Sequence, residues 1–225
     1  MNFFSTVKGK LIVSCQALPD EPLHSSFIMG RMALAAKEGG AKAIRAQSSV
    51  DIQEIKKVTN LPVIGLVKRN YADSPIYITP TIAEVEELLS TECEMIALDM
   101  TDRPRPAGEK IEMLLARIHE AGRLVLADIS TYEEGLMAAK LGADAISTTL
   151  SGYTPYSPQL TGPDVDLVAR LSKELAIPVF AEGRINVPED ISRVMAAGAY
   201  APIVGSAITR PQLITAKFAQ KLGNS

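Results

Sequence analysis

Short apolar runs alternate with helical stretches along the whole chain, and each run is long enough for one buried strand. The runs are Leu11–Gln16, Ala43–Ala46, Leu61–Val67, Met95–Asp99, Leu124–Asp128, Ala145–Thr149, Pro178–Glu182 and Pro202–Gly205. Between and after them, helices are expected over Phe27–Glu38, Val50–Val58, Thr81–Leu89, Glu109–Ala121, Thr131–Leu141, Pro163–Leu175, Pro188–Ala197 and Pro211–Leu222. Ile52, Ile55 and Val58, for example, recur at the spacing of one helix face. Strictly alternating strands and helices imply parallel βαβ units, and strands that are apolar throughout suit a sheet covered on both faces. Eight such units predict a single (β/α)8 TIM barrel spanning residues 1–225, a length within the range of that fold. A doubly wound open sheet is the alternative arrangement of the same units. Gly40-Ala41, Gly142-Ala143 and Gly198-Ala199 echo one another where a helix stops and a strand begins. Either a repeated half-barrel or plain helix-stop chemistry accounts for them.

The composition excludes several classes of function. A net charge of −3 offers no basic field for nucleic acid. Two histidines, His24 and His119, and two cysteines, Cys15 and Cys93, show no metal-ligand spacing, so no metal site is expected. The cysteines read as reduced thiols. Residues 1–10 lack the apolar run of a signal peptide, and no stretch approaches the ~18 apolar residues of a membrane span. A cytoplasmic protein is expected. Two strand–helix loops are long, Asn70–Pro80 and Ser151–Gly162, and both carry tyrosines and prolines, as a lid would.

Chemistry collects at the carboxyl ends of the strands, where barrel enzymes place it. The odd strands end at Gln16, Lys68, Asp128 and Glu182, and in this fold alternate strands share layers of inward side chains. Four polar residues in one layer are costly unless they pair or bind something. Strands three and seven stand opposite in an eight-strand barrel, so Lys68 and Glu182 should face each other across the mouth. Arg45, at the end of strand two, reaches the same layer. Plainer roles exist for each: a solvated lysine at 68, a helix-entry cap at Asp128, a structural counter-ion at Arg45 for Glu182 or Asp128. The loops after strands seven and eight bring Gly183-Arg184 and Gly205 with Arg210, a pattern suited to phosphate through backbone N–H groups and planar cations.

Several runs carry a family likeness. Val13-Ser14-Cys15-Gln16-Ala17, Glu21-Pro22-Leu23-His24-Ser25, Ala43-Ile44-Arg45-Ala46, Lys68-Arg69-Asn70-Tyr71, Tyr77-Ile78-Thr79-Pro80-Thr81, Ala127-Asp128-Ile129-Ser130-Thr131, Ser147-Thr148-Thr149-Leu150-Ser151-Gly152-Tyr153-Thr154 and Ala181-Glu182-Gly183-Arg184-Ile185 closely resemble the bacterial N-acetylmannosamine-6-phosphate 2-epimerases. The likeness covers nearly the whole chain. It implies a (β/α)8 barrel that uses no metal or organic cofactor and interconverts N-acetylmannosamine 6-phosphate and N-acetylglucosamine 6-phosphate in sialic acid and amino-sugar catabolism. Carried onto this chain, it implies Lys68 and Glu182 as the catalytic pair. Gln16, Arg45 and Asp128 would contact the substrate, and Gly183, Arg184, Gly205 and Arg210 would grip its phosphate. The partner implied is a small phosphorylated amino sugar, with a second copy of the chain in a homodimer. Two other functions fit the bare residues: a class I aldolase-type lyase with a Schiff base on Lys68, and a non-catalytic phosphosugar-binding protein.

Overall fold

Every strand pairs in parallel with the next in sequence, and the last pairs with the first. The computed structural model describes residues 2–222 of the chain. Its strands are β1 (Ile12–Cys15), β2 (Ala43–Gln47), β3 (Val63–Leu66), β4 (Met95–Asp99), β5 (Leu124–Asp128), β6 (Ala145–Ser147), β7 (Val179–Glu182) and β8 (Ala201–Val204), and they close a barrel in that order. The closed ladder decides between the two expected arrangements in favour of the (β/α)8 barrel. Helices α2 (Ser26–Glu38), α3 (Ser49–Thr59), α4 (Ile82–Leu89), α5 (Ile111–Glu120), α6 (Tyr132–Leu141), α7 (Val165–Glu174), α8 (Pro188–Ala196) and α10 (Pro211–Ala219) follow the eight strands. Two short helices escape the periodicity, α1 (Phe3–Val7) and α9 (Ser206–Thr209), because neither is long enough to show a repeat.

Alternation along the strands sorts side chains into two cores. Ile12, Ala43, Ile64, Leu66, Met95, Leu126, Phe180 and Ile203 fill the barrel with Phe3 and Val7 of α1 packed against them. Their neighbours Val13, Cys15, Ile44, Val63, Ile96, Val125 and Val179 face the surrounding helices. Burial pushes the Cys15 thiol up to about 12, which leaves it inert. Thr81 and Thr131 each form a capping box, with Glu84 and Glu134, so both helix starts follow from local sequence.

The Gly-Ala echo has a local cause. Gly40, Gly142 and Gly198 have φ of +106°, +99° and +102°. The alanine after each donates back five residues, Ala41 to Ala36 O, Ala143 to Ala138 O and Ala199 to Val194 O. This is the Schellman helix end, which requires a left-handed residue at that step. The Asn70–Pro80 loop, expected as a partly ordered lid, is a strap exposed at Asn70, Ala72, Asp73 and Pro75 and packed from Ile76 onward. It returns to the barrel through an antiparallel bridge between Lys68 and Ile78, with Ile76 and Ile78 buried. None of the described helices is long and apolar enough to cross a membrane.

Candidate active site

Residues 12, 14 and 16 on β1 and its extension, and 43, 45 and 47 on β2, share the inward alternation that fills the barrel. At the second inward step of each, Ser14 and Arg45, the apolar filling gives way to polar groups. Arg45 projects from β2 and crosses the barrel. Its Nη1 donates to Glu182 Oε1 at 2.8 Å, and its Nη2 to Asp128 Oδ2 at 2.5 Å. The Thr149 hydroxyl, just past β6, lies 2.6 Å from Asp128 Oδ1 and 3.0 Å from Glu182 Oε2. These four side chains make a closed ring drawn from β2, β5, the end of β6 and β7. Thr148 pins the backbone behind it, accepting from Glu182 N at 3.2 Å and donating to Glu182 O at 3.0 Å.

The ring is deeply buried: Arg45 is 3% exposed, Asp128 0% and Glu182 10%. Ion pairs at that depth carry a desolvation cost that only close geometry offsets. Burial opposes the charge on Arg45, but the Asp128 and Glu182 carboxylates outweigh it and hold the guanidinium above its ordinary value. Burial drives Asp128 well above the usual carboxylate range, even against the pull of Arg45. Burial also raises the Tyr77 phenol, helped by the Asp128 charge.

Above the ring opens a cavity of about 460 Å³. Ser14, Gln16, Arg45, Lys68, Thr149 and Glu182 line its deep end. Lys68 therefore shares one cavity with Glu182, at the ends of strands on opposite sides of the barrel. The ion-pair partner of Glu182 is Arg45, however, and not Lys68. Burial lowers Lys68 from 10.5 to about 8, with Arg45 and Arg210 adding to the shift. Gln16 donates through Nε2 to Ser14 Oγ at 2.7 Å, while its Oε1 and the Nε of Arg45 are buried with no partner among the described residues. Each unsatisfied buried polar atom costs about 1–3 kcal/mol, and a ligand's hydroxyl or amide groups would relieve that cost.

The outer end of the cavity is formed by Gly183, Arg184, Gly205 and Arg210. Gly183 at φ +103° and Arg184 at φ +54° turn the chain sharply after β7. The Arg184 guanidinium donates to the carbonyls of Gly162 at 2.9 Å and Ser151 at 2.5 Å and lies 5.7 Å from the Tyr153 ring centre. It ties the Ser151–Gly162 loop down. Arg210 is held by Glu21, with Nε at 2.9 Å from Oε1 and Nη2 at 3.0 Å from Oε2. Among the described residues, no group of three His, Cys, Asp or Glu side chains could hold a metal ion.

Eight of the nine residues singled out from sequence line this cavity, but the set does not form one layer. Asp128, expected to contact substrate, does not line the cavity; it lies sealed beneath Arg45. Pairing register slips as a sheared barrel is traversed, so strand ends do not share one height. The plainer role considered for Arg45, counter-ion to Glu182 or Asp128, fits its contacts, which reach both carboxylates at once. Sequence reasoning missed Ser14, Tyr77 and Thr149, which also line the cavity. Ser14 is one inward step before Gln16, and Thr149 ends an even strand, so extending the alternation rule to every strand would have found both. Tyr77 comes from the strap, whose path no periodicity reveals.

A closed parallel barrel whose strand ends gather a low-pKa lysine, two carboxylates and glycine-turned anion loops defines an acid–base barrel enzyme acting on an anionic substrate. Residues 29–224 match a family described as "Putative N-acetylmannosamine-6-phosphate epimerase". A Clostridium perfringens (strain SM101 / Type A) protein named "Putative N-acetylmannosamine-6-phosphate 2-epimerase" is 65% identical over 212 residues, covering 94% of this chain and 96% of that one. A Clostridioides difficile (strain 630) protein of the same name is 62% identical over 216 residues, covering 96% and 97%. The solved structure of the N-acetylmannosamine-6-phosphate 2-epimerase from Clostridium perfringens superposes with a TM-score of 0.97 at 62% identity, covering 98% of this chain and 96% of that one. The chain belongs to the N-acetylmannosamine-6-phosphate 2-epimerase family.

Proposed function

We propose that this protein is an isomerase that interconverts N-acetylmannosamine 6-phosphate and N-acetylglucosamine 6-phosphate, as part of sialic acid and amino-sugar catabolism. The observation that carries the reading is one cavity that holds Lys68 and Glu182 at its deep end and Gly183, Gly205 and Arg210 at its outer end. A phosphate at the outer end would meet backbone N–H groups and the Arg210 N–H not used by Glu21. The sugar then extends inward, placing C1 and C2 near the bases.

Inverting C2 requires removal of a proton next to a carbonyl, and in the pyranose C1 is masked. Ring opening comes first; Glu182, held by Arg45 and Thr149, would move a proton at the ring oxygen or the C1 hydroxyl. The open aldehyde acidifies the C2 proton. Lys68, lowered to about 8, has an accessible neutral form and serves as the general base that exchanges it. Gln16 Oε1 and Arg45 Nε offer hydrogen bonds to the amide, a hydroxyl or the developing oxyanion. Asp128 acts from below the cavity floor by holding Arg45. No membrane or nucleic-acid partner enters this scheme, and a second copy of the chain is the expected oligomeric partner.

NMR of the purified protein with N-acetylmannosamine 6-phosphate in D₂O tests the reading. Appearance of the glucosamine epimer with deuterium at C2 is expected. Conversion without C2 exchange would remove the deprotonation mechanism, and no conversion would remove the function. A lyase using the same depressed lysine would be trapped on Lys68 by borohydride with substrate; no adduct is expected here.

A further inference from the structure

The buried ring holds one more donor–acceptor contact than its fixed protons can serve. Four contacts close it: Arg45 to Glu182, Arg45 to Asp128, Thr149 to Asp128 and Thr149 to Glu182. Arg45 supplies a proton to each of its two. Thr149 has one hydroxyl proton for two carboxylate oxygens at 2.6 and 3.0 Å. Ser147 Oγ, 2.8 Å from Thr149 Oγ1, reaches Glu182 only at 3.5 Å and does not close the gap. A buried oxygen–oxygen contact at hydrogen-bond distance without a proton is repulsive. The ring therefore calls for one further proton, carried on Asp128 or Glu182.

We propose that Thr149 is a positioning residue that relays this proton between Asp128, sealed beneath the cavity, and Glu182, which faces it. In one state Asp128 is protonated: its O–H donates to Thr149 Oγ1, and the Thr149 O–H donates to a Glu182 carboxylate. In the other, the Asp128 O–H bond has broken as Thr149 Oγ1 takes that proton, and the Thr149 O–H bond has broken as Glu182 Oε2 takes the second. One proton has been delivered to Glu182, Thr149 is again a neutral hydroxyl, and Asp128 is left as a carboxylate beside Arg45. No charge enters or leaves the ring. Glu182 can then present a proton during ring opening and recover it during closure, with Asp128 as its store. The relay rests on the proposed role of Glu182 in epimerisation. Its geometry does not.

Other charges face the pair. Arg45 comes from β2, Lys68 from the end of β3, Tyr77 from the strap and Asp99 from β4. A test must therefore change the hydroxyl and leave these in place. Thr149→Val keeps the shape and removes the O–H; Thr149→Ser keeps the O–H. In the epimerase assay, Thr149→Val is expected to lose about a hundredfold in kcat with KM within about threefold, while Thr149→Ser recovers most of the loss. Full activity in Thr149→Val, or an equal loss in Thr149→Ser, overturns the relay; the latter result assigns the position to packing.

A second measurement needs no activity. ¹³C NMR titration of the Asp and Glu side-chain carboxyls in the wild-type protein should find one member of the Asp128–Glu182 pair gaining a proton within about pH 5.5–9. Both carboxyls remaining ionised through that range overturns the proposal. In Thr149→Val the midpoint should move down, because the hydroxyl makes two hydrogen bonds to the singly protonated pair and only one to the doubly ionised pair; a rise would mean that Thr149 merely donates to a carboxylate and would overturn the relay. An unmoved midpoint also counts against it. An inactive wild-type protein with a titrating pair would instead remove the epimerase reading and leave the shared proton standing.

Discussion

Lys68 and Glu182 end strands on opposite sides of the barrel and enter the same cavity, yet they are held in opposite ways. Glu182 is gripped by the Arg45 guanidinium, by the Thr149 hydroxyl and, through its backbone, by Thr148. Lys68 is anchored by backbone, through its bridge to Ile78. Its ammonium sits in a buried place with two arginines near, and its charge is disfavoured. The difference separates two requirements of acid–base catalysis. A base must be able to lose its proton near the working pH, so its charged form is left unsupported. A group that meets the substrate from a fixed direction must be placed, so its contacts are saturated.

The largest expected consequence of this contrast is at Lys68. Lys68→Met should cost about 10³–10⁴ in kcat, since it removes the base and little else. It should also raise Tm at neutral pH. The folded-state value of about 8 lies below the ordinary 10.5, so below pH 8 both folded and unfolded chains hold the proton and burial of the charge costs stability in full. As pH rises from about 8 to 10.5 the folded protein releases the proton first and the cost fades, so the variant's advantage should shrink. Melting curves at pH 7 and pH 10 check the sign. In the wild type, kcat/KM should rise about tenfold per pH unit below 8 and level off above it. A stabilising effect that grows with pH would break the comparison.

On the saturated side the opposite outcome is expected. Arg45→Met leaves two buried carboxylates without their cation and should destabilise the fold by about 3–5 kcal/mol, read from urea denaturation. The loss should be smaller at pH 5 than at pH 8, because burial raises Asp128 and its protonation relieves the repulsion. A loss independent of pH would show that Arg45 acts through packing alone.

A smaller effect sharpens the picture at the phosphate end. A Cβ on Gly152 would stand 2.0 Å from Arg184 Nη1, at a φ of +79°. Gly152→Ala should release Arg184 from the carbonyl of Ser151, lower stability by about 1–2 kcal/mol and raise KM several-fold, with kcat nearly unchanged. A change confined to kcat would mean that Arg184 positions the deep end of the cavity as well.

The alternation of eight apolar runs with eight helices was enough to reach the barrel, because each run obeys a local rule and the order of the units admits few topologies. Lys68, Glu182, Gly183 and Gly205 were legible for the same reason: each ends a buried strand or lies within two residues of its end, where the fold exposes it. The anchoring of the loop over residues 70–80 was not legible, because Ile76 and Ile78 bury themselves only against a barrel that already exists.

Sequence by itself therefore determined the architecture and which strand ends carry polar chemistry. Only the tertiary structure decided who holds whom. Arg45 meets Asp128 and Glu182 across separations of 83 and 137 residues, and Arg210 meets Glu21 across 189. Such pairs depend on the shear and closure of the whole ladder, which no local pattern encodes. The same closure set Asp128 below the cavity floor and brought Thr149 between two carboxylates, turning separate strand-end residues into one ring beneath the cavity that Lys68 lines.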